Sequence, residues 1–335
     1  MKYLMSEPMN TTCTGLAETL KSVSHDSINR FLLREDYSAK DLYDSSIDLI
    51  PEDAEGAVSV DDTVLDKPYS QSHLSKLINY YWSGKHKKTV KGINLVTLFF
   101  TDLKGGIRLP VNFRVVNPDD NKTKNQYFQE MIEEIISWGL AFAWVTGDSW
   151  YSSLENLKFL RKRNLNALFG VENNRIFSEE KGSYIQAQKI EYIDQDGKVL
   201  YMKGFGQVRI FRQSRRETTR HYIMIQSDTD NLDRLSKFDF DQLHSAHWNI
   251  EEYHRVLKQE CHIEHFQTRS TTAIKNHIFC ALVAFIQLEI KTISGEIKNW
   301  YRLKRDQFAP FVRSIIVESL GVDARLQKLK PTVNA

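Results

Sequence analysis

The order of strand-like and helix-like segments between residues 57 and 171 constrains the fold more than any other feature. Three segments rich in apolar, β-branched and aromatic residues come first, and Gly105-Gly106 supplies a turn between the last two. Helical spacing of apolar residues over 125–138 and again around 154–160 then alternates with two short apolar segments. The predicted strands are 57–60, 93–100, 107–116, 141–146 and 167–171. This order predicts an α/β fold with a mixed sheet.

Residues 175–240 break this alternation. Four further strand-like segments, 184–193, 199–202, 207–211 and 221–225, are separated by turn residues such as Asp194-Gln-Asp-Gly197. Helical patterns return afterwards and continue to about residue 290. We therefore predict an N-terminal helical segment (1–50), the first part of a core (51–174), a β-rich insertion (175–240), the final helices of the core (241–295) and a C-terminal helical tail (296–335) that frays after Lys328.

The N-terminal segment contains two short predicted helices, 14–20 and 25–32, and Ser24 is placed to cap the second. Ala17, Val23, Ile28 and Phe31 lie near the positions that a helix-turn-helix would bury, although the turn is one residue longer than the tight form. A DNA-reading helix-turn-helix and a plain helical bundle both remain open.

Composition places the chain among ordinary globular proteins. Its 335 residues are 41% hydrophobic, and the longest apolar run, Ile278–Ile286, is too short to cross a bilayer. The N-terminus has no apolar signal core, and Cys13, Cys261 and Cys280 are too few and too scattered for a disulfide framework. We expect a cytoplasmic protein with reduced thiols and no membrane partner.

Three carboxylates lie at positions that predict a metal site. Asp61 or Asp62, and Asp148, follow predicted strands, and Glu251 lies on a predicted helix that begins before His247. If the first and fourth strands are neighbours, these carboxylates meet at one edge of the sheet. Clustered carboxylates repel one another, and oxygen ligands of this kind favour Mg²⁺, with Mn²⁺ as a substitute.

The helix around Glu251 also carries cationic side chains. Lys258 lies two turns after Glu251 and therefore shares its face, while His247 and Arg255 lie four residues before and after it. The alternative is a solvated helix whose charged pairs contribute only a few tenths of a kcal/mol each. Basic clusters elsewhere, among them Arg212-Gln-Ser-Arg-Arg216, favour phosphate binding but are also common on solvated surfaces.

These motifs together resemble the DDE transposases of bacterial insertion sequences, in particular the cut-and-paste group with a β-rich insertion before the catalytic glutamate helix. The resemblance rests on Val60-Asp-Asp-Thr63, Gly147-Asp-Ser-Trp-Tyr151 and Trp248-Asn-Ile-Glu251 followed by Lys258, and it covers about residues 24–290. It implies an RNase H-like core and a protein associated with the bacterial nucleoid. It also implies a transposase that cleaves transposon ends and joins the 3′ hydroxyl to target DNA.

The resemblance assigns roles to individual residues. Asp61, Asp148 and Glu251 would be catalytic and bind two Mg²⁺ ions, with Asp61 preferred over Asp62 because it fits an Asp-x-Thr pattern. Double-stranded DNA and a second copy of the chain, in a synaptic homodimer, would be the partners. The expected DNA contacts are Lys258, His247, His244, Arg255, Arg215 and Arg216.

The chain departs from the family pattern at two places. His244 and His247 stand where the family usually has a tyrosine and an arginine, which implies weaker or pH-dependent phosphate binding. Some relatives stack a flipped base on a tryptophan of the insertion, and none lies between Tyr151 and His247 here. Candidates for stacking a base instead are Tyr201, Phe205, Phe211 and Tyr222.

Two other functions stay open on sequence grounds. A metal-dependent nuclease that hydrolyses DNA without strand transfer would need the same carboxylates. A zinc-stabilised DNA-binding regulator without catalysis would instead use His244 with His247, or Cys261 with His265, which have helical spacing.

Overall fold

The computed structural model describes residues 1–8, 11–70, 75–180, 182–215 and 218–320. The helices in these residues are α1 (Lys2–Ser6), α2 (Cys13–Leu20), α3 (His25–Arg34), α4 (Ala39–Ile47), α5 (Lys124–Ser137), α6 (Leu154–Lys162), α7 (Lys237–Gln259), α8 (Thr271–Ile293) and α9 (Arg302–Leu320). The strands are β1 (Gly56–Asp66), β2 (Asn79–Ser83), β3 (Lys88–Asp102), β4 (Arg108–Val115), β5 (Trp144–Gly147), β6 (Asn166–Val171), β7 (Ile176–Ser178), β8 (Tyr184–Gln186), β9 (Lys198–Met202), β10 (Gly206–Arg215) and β11 (Thr218–Ile225).

One mixed sheet contains the strands of the described residues. Its order is β2-β3-β1-β5-β6-β11-β10-β9-β7-β8, and β4 pairs with β3. β1 is antiparallel to β3 and parallel to β5, which is in turn parallel to β6. The five core strands therefore lie side by side as β4-β3-β1-β5-β6, and the predicted α/β fold with an RNase H-like core is confirmed.

Helices cover both faces of this sheet because the core strands are apolar on both sides. On one face α7 and α8 pack on Phe99, whose ring stacks on Tyr253 at 4.6 Å between centroids. On the other face α5 and α6 cover Val60 and Phe169. A capping box of Thr123 and Gln126 starts α5, as this spacing of threonine and glutamine favours.

The β-rich insertion extends the core sheet. β11 pairs antiparallel with β6, and β10 and β9 continue outward from it. The predicted strand 184–193 is wrong after Gln186, because residues 187–189 form a turn of 3₁₀ helix instead. The predicted strand 141–146 begins only at Trp144.

Two differences concern β1 and β2. β1 runs to Asp66, so Asp61 and Asp62 lie inside it and not past its end as predicted. The strand continues because β3 pairs with it along its whole length, whereas β5 pairs only with its first half. The sequence analysis also missed β2, an exposed strand whose side chains do not alternate between apolar and polar.

The terminal segments pack around α8. The predicted N-terminal helices are present as α2 and α3, and the side chain of Ser24 caps α3 by accepting a hydrogen bond from the Ser27 amide. α8 is the one described helix long and apolar enough to cross a membrane, but 83% of that stretch is buried inside the protein. The C-terminal helix α9 is described to Leu320, and the predicted fraying after Lys328 lies outside the described residues.

Candidate active site

The pairing of β1 with β5 brings the two aspartates together. The last parallel pair is Val60 with Gly147. The next residues are Asp61, which continues β1, and Asp148, which directly follows the end of β5. Gly147 permits this approach, because a Cβ there would lie 2.7 Å from the Phe169 ring and 2.9 Å from the Val60 side chain. Asp148 also begins a 3₁₀ turn, where its Oδ1 accepts a hydrogen bond from the Trp150 amide at 2.9 Å.

Helix α7 delivers the third carboxylate. A capping box at Ser236 starts the helix, and buried side chains including Ile250 and Tyr253 hold it against the sheet. At Ala246 its backbone carbonyl accepts a hydrogen bond from Ser59 of β1 at 3.3 Å. His247, Glu251, His254 and Lys258 follow one another at intervals of four, three and four residues, so they form one stripe along α7.

Asp61 is the centre of the cluster. Its Oδ2 lies 3.4 Å from Nδ1 of the buried His254, and its Oδ1 accepts the backbone amide of Asp62 at 2.8 Å. Burial alone would raise the pKa of Asp61, but the contact with His254 lowers it overall. Asp61 is therefore ionised at neutral pH.

The other two carboxylates respond to that charge. Burial and the negative charge of Asp61 raise the pKa of Asp148 to about 7. Burial and the same charge raise the pKa of Glu251, partly offset by Arg220, His254 and Arg255. Both side chains remain open to solvent at the edge of the sheet. The three predicted residues are thus brought into one electrostatically coupled group.

Asp62 belongs to the opposite face of the sheet, as alternation along a strand requires. Its Oδ2 accepts hydrogen bonds from Asn94 and Lys124, both at 2.7 Å, and its Oδ1 accepts one from Tyr151 at 3.3 Å. The charge of Asp62 is already balanced by protein groups, which favours Asp61 as the first member of the candidate triad.

The predicted DNA contacts on α7 differ in their exposure to solvent. Burial lowers the pKa of His247 to about 4, so this side chain is neutral near Asp61. His244 is packed between rings, with its Nε2 3.2 Å from the Tyr222 hydroxyl, and burial lowers its pKa too. Arg255 is exposed and remains available to phosphate.

Lys258 is occupied by the protein itself. Its amine donates to the Val64 carbonyl at 2.6 Å and pairs with Glu264 at 3.0 Å, and only 18% of its side chain is exposed. A phosphate would have to displace Glu264 to reach it. The backbone of Arg215 ends β10, but its side chain and all of Arg216 lie outside the described residues.

The candidates for stacking a base separate by exposure. Phe211 and Tyr222 are buried and pack on Phe240, and the Phe205 ring carries the guanidinium of Arg161 3.7 Å from its centroid. Tyr201 is exposed on β9. Only Tyr201 of these four therefore presents a ring to solvent.

The donor set suits a divalent cation by its chemistry. The three carboxylates interact electrostatically, and two of them have raised pKa values. The Nδ1 of His247 and Nε2 of His254 are buried without a hydrogen-bond partner. A bound cation would remove the repulsion that raises those pKa values. Within the described ranges, however, no three Asp, Glu, His or Cys side chains already stand close enough to hold a metal.

That finding also bears on the zinc alternative. Burial raises the pKa of the Cys261 thiol, so it is not the thiolate that zinc binds. The ring of His265 instead meets that of His262, with 2.7 Å between their Nδ1 atoms. No described feature favours a zinc centre among these residues, which follow the end of α7.

Sequence reasoning missed two residues that shape the site. His254 lies three residues after Glu251, and this helical spacing places it on the same face, so the pattern alone could have found it. Lys124, which balances Asp62, comes from the start of α5 and is 62 residues away in sequence. No local pattern indicates such a contact.

An RNase H-like core with carboxylates at the edge of its sheet is typical of nucleic-acid-processing enzymes. Residues 53–286 match the family described as "Transposase DDE domain", and the chain belongs to that family. It is a DNA transposase, a DNA-cutting and joining enzyme of transposition and recombination, and the family as a whole uses divalent metal ions. The expected bacterial insertion-sequence origin stays a prediction.

A solved transposase structure shares the fold. The piggyBac transposase synaptic complex with hairpin DNA matches with a TM-score of 0.51 and 12% identity, over 99% of this chain and 71% of that one. The Drosophila P element transposase strand transfer complex reaches a TM-score of 0.27, with 10% identity over 53% of this chain and 44% of that one. The second score is too low to bear on the fold. No curated protein matches the chain.

Proposed function

We propose that this chain cleaves the ends of a DNA element and joins the freed 3′ hydroxyl to target DNA, with Asp61, Asp148 and Glu251 holding two divalent cations. Mg²⁺ is the expected ion and Mn²⁺ its substitute. Such ions supply activation of the attacking water or hydroxyl and stabilisation of the leaving oxygen.

The observation that carries this proposal is that the pKa values of two carboxylates depend on the charge of the third. The charge of Asp61 contributes to the raised pKa of both Asp148 and Glu251. The register of β1 with β5 and the hydrogen bond from Ser59 to α7 bring together the elements that carry the three residues. Such an arrangement is unfavourable for the folded protein alone and is typical of functional sites. A purely structural role would be expected to pair each carboxylate, as Asp62 is paired.

The residues around the triad prepare it for a polyanionic substrate. His254 holds Asp61 ionised and fixes its orientation. His247 stays neutral and lines the same pocket without adding charge. Arg220 and Arg255 act on Glu251 from exposed positions, where they can meet phosphate oxygens.

Double-stranded DNA is the proposed substrate, and a second copy of the chain the proposed partner in a synaptic complex. The piggyBac structure that shares the fold is a synaptic complex with hairpin DNA, which supports both expectations. Arg255 is the described α7 cation best placed to meet the DNA, whereas His244, His247 and Lys258 act within the protein.

The test is a cleavage and joining assay with purified protein and labelled DNA from the termini of its own element. We expect Mg²⁺-dependent nicks at the element ends and joined products with target DNA. Cleavage without joined products would instead support the nuclease without strand transfer. Binding without any cleavage in Mg²⁺ or Mn²⁺ would contradict the proposed chemistry.

A further inference from the structure

The hairpin of β2 and β3, residues 79–92, is basic and exposed and has no role in the site described above. We call it the basic hairpin. It contains Lys85, Lys87, Lys88 and Lys91 and no acidic residue. Residues 84–89, which form its turn and the start of β3, are all exposed. Within the described part of the chain, Lys87 and Lys88 have no carboxylate partner, so their charges face solvent.

The same hairpin exposes two large aromatic rings. Tyr80 is 61% exposed and Trp82 is 65% exposed, and they point to one face because they are two residues apart on β2. Their partners across the hairpin are Lys91 and Thr89. The Lys91 amine lies 5.6 Å from the Tyr80 ring centroid. Aromatic rings beside lysines are suited to contact the sugars and bases of a nucleic acid while the amines meet phosphates.

The tip of the basic hairpin is bonded to β1, the strand that carries Asp61. His86 and Lys85 contact the Asp66 carboxylate at 2.8 Å and 3.4 Å. Asp66 lies five residues after Asp61 on β1, which is about 17 Å along an extended strand. Both Asp61 and Asp66 follow Val60, the last residue of β1 that pairs with β5. Asp148 directly follows Gly147, the partner of Val60. The lysines of the tip therefore stand at the same end of the sheet as the carboxylates, bonded through Asp66 to the face that Asp62 shares.

We propose that the basic hairpin binds the phosphate backbone of duplex DNA next to the position that is cleaved. Lys87 and Lys88 provide the phosphate contacts, and the face with Tyr80 and Trp82 lies against the groove. Charge complementarity selects this occupant, because duplex DNA carries one negative charge per about 1.7 Å of its axis. This inference rests on the proposed function, since it assumes that DNA enters at the carboxylates.

The test is the salt dependence of binding to a 30-base-pair duplex of arbitrary sequence, measured with the full chain. Each phosphate contact contributes about 0.9 to the slope of log affinity against log salt concentration. The double variant Lys87→Gln/Lys88→Gln should therefore lower the slope by about 1.8. Its matched control is Lys189→Gln/Lys203→Gln, which removes two exposed lysines of the insertion, beyond β10 on the other side of the core strands.

A fall of about 1.8 in the hairpin variant with an unchanged control supports the assignment. Equal slopes for wild type and hairpin variant overturn it, and so does an equal fall in both double variants. Thermal unfolding of each variant confirms that it is folded. If wild-type protein cuts and joins end DNA but the hairpin variant keeps the full slope, the hairpin assignment fails and the proposed function stands. If the wild-type protein binds DNA without cleaving it, and the slope falls only in the hairpin variant, the proposed function fails and the hairpin assignment stands.

Discussion

Asp61 and Asp62 are neighbours on one strand, and yet they have opposite surroundings. Asp62 accepts hydrogen bonds from Asn94, Lys124 and Tyr151, which balance its charge within the protein. Asp61 faces α7, where its contact partner is the His254 ring and two more carboxylates act on it electrostatically. The Asp62 face of β1 contributes to stability, whereas the Asp61 face retains repulsion that only a bound ion would relieve.

This difference teaches that clustered acids have a meaning only together with their partners. A carboxylate with a lysine and two neutral donors is a structural element of the sheet. Three interacting carboxylates, two of them with raised pKa values, at an open sheet edge form a site that is prepared for a cation. Substitutions on the two faces should therefore affect different properties.

The largest expected effect is on DNA cleavage. Asp61→Asn should reduce Mg²⁺-dependent cleavage of element ends by about 10³-fold or more, because it removes the charge shared by the cluster. Asp62→Asn is the matched control, with the same chemical change one residue away, and should stay within about threefold. Single-turnover rates measure both. Similar losses of cleavage rate in the two variants would contradict the different roles assigned to the two faces of β1.

Asp148→Asn and Glu251→Gln should abolish cleavage in the same assay while leaving affinity for end DNA within a few fold. Each removes one negative charge of the cluster without changing the shape of the side chain. Full activity in either variant would remove that residue from the triad.

A smaller effect is expected on stability at the Asp62 face. Asp62→Asn leaves the partly buried Lys124 without its charge partner, and we expect the free energy of unfolding to fall by about 1–2 kcal/mol. Urea unfolding measures this change. An unchanged midpoint would mean that the hydrogen bonds of Asp62 contribute little.

Lys258→Ala should also act through stability, by about 1–2 kcal/mol, because the amine joins α7 to the Val64 carbonyl of β1 and to Glu264. The slope of DNA affinity against salt should stay unchanged. A fall of about one in that slope would restore the phosphate contact that the sequence predicted. Glu264→Gln should give a similar loss of stability.

The smallest expected effect has the opposite sign. The pKa of Asp148 is about 7 in the folded protein against an ordinary value of 3.8. The folded state therefore binds more protons between these values, and without divalent ions stability should fall as pH rises from about 4 to 7. Asp148→Asn should remove this dependence and stabilise the metal-free protein at pH 7 by about 1 kcal/mol, after allowance for solvent screening. Thermal unfolding across that pH range tests the sign.

Much of the core could be predicted from the sequence because its elements have strong local patterns. The apolar segments at 93–100 and 107–116 and the helical stripe at 125–138 all form the expected elements. The triad residues could be named because each follows or lies on a recognisable element. Their convergence then followed from the pairing of β1 with β5.

Other features depend on contacts that no local pattern contains. Lys258 fits the family motif, but the structure shows its amine turned to Val64 and Glu264, and only tertiary packing decides that direction. Residues 187–193 look like a strand in sequence and yet leave the sheet. The exposed strand β2 lacks the alternation that identifies a strand.

The central claim is that Asp61, Asp148 and Glu251 hold divalent cations together, and Mn²⁺ binding tests it most directly. Electron paramagnetic resonance can follow the loss of free Mn²⁺ as protein is added, with end DNA present. We predict saturable binding by wild type and by Asp62→Asn, and its loss in Asp61→Asn. Wild-type affinity in Asp61→Asn, or loss of binding in Asp62→Asn, would contradict the account.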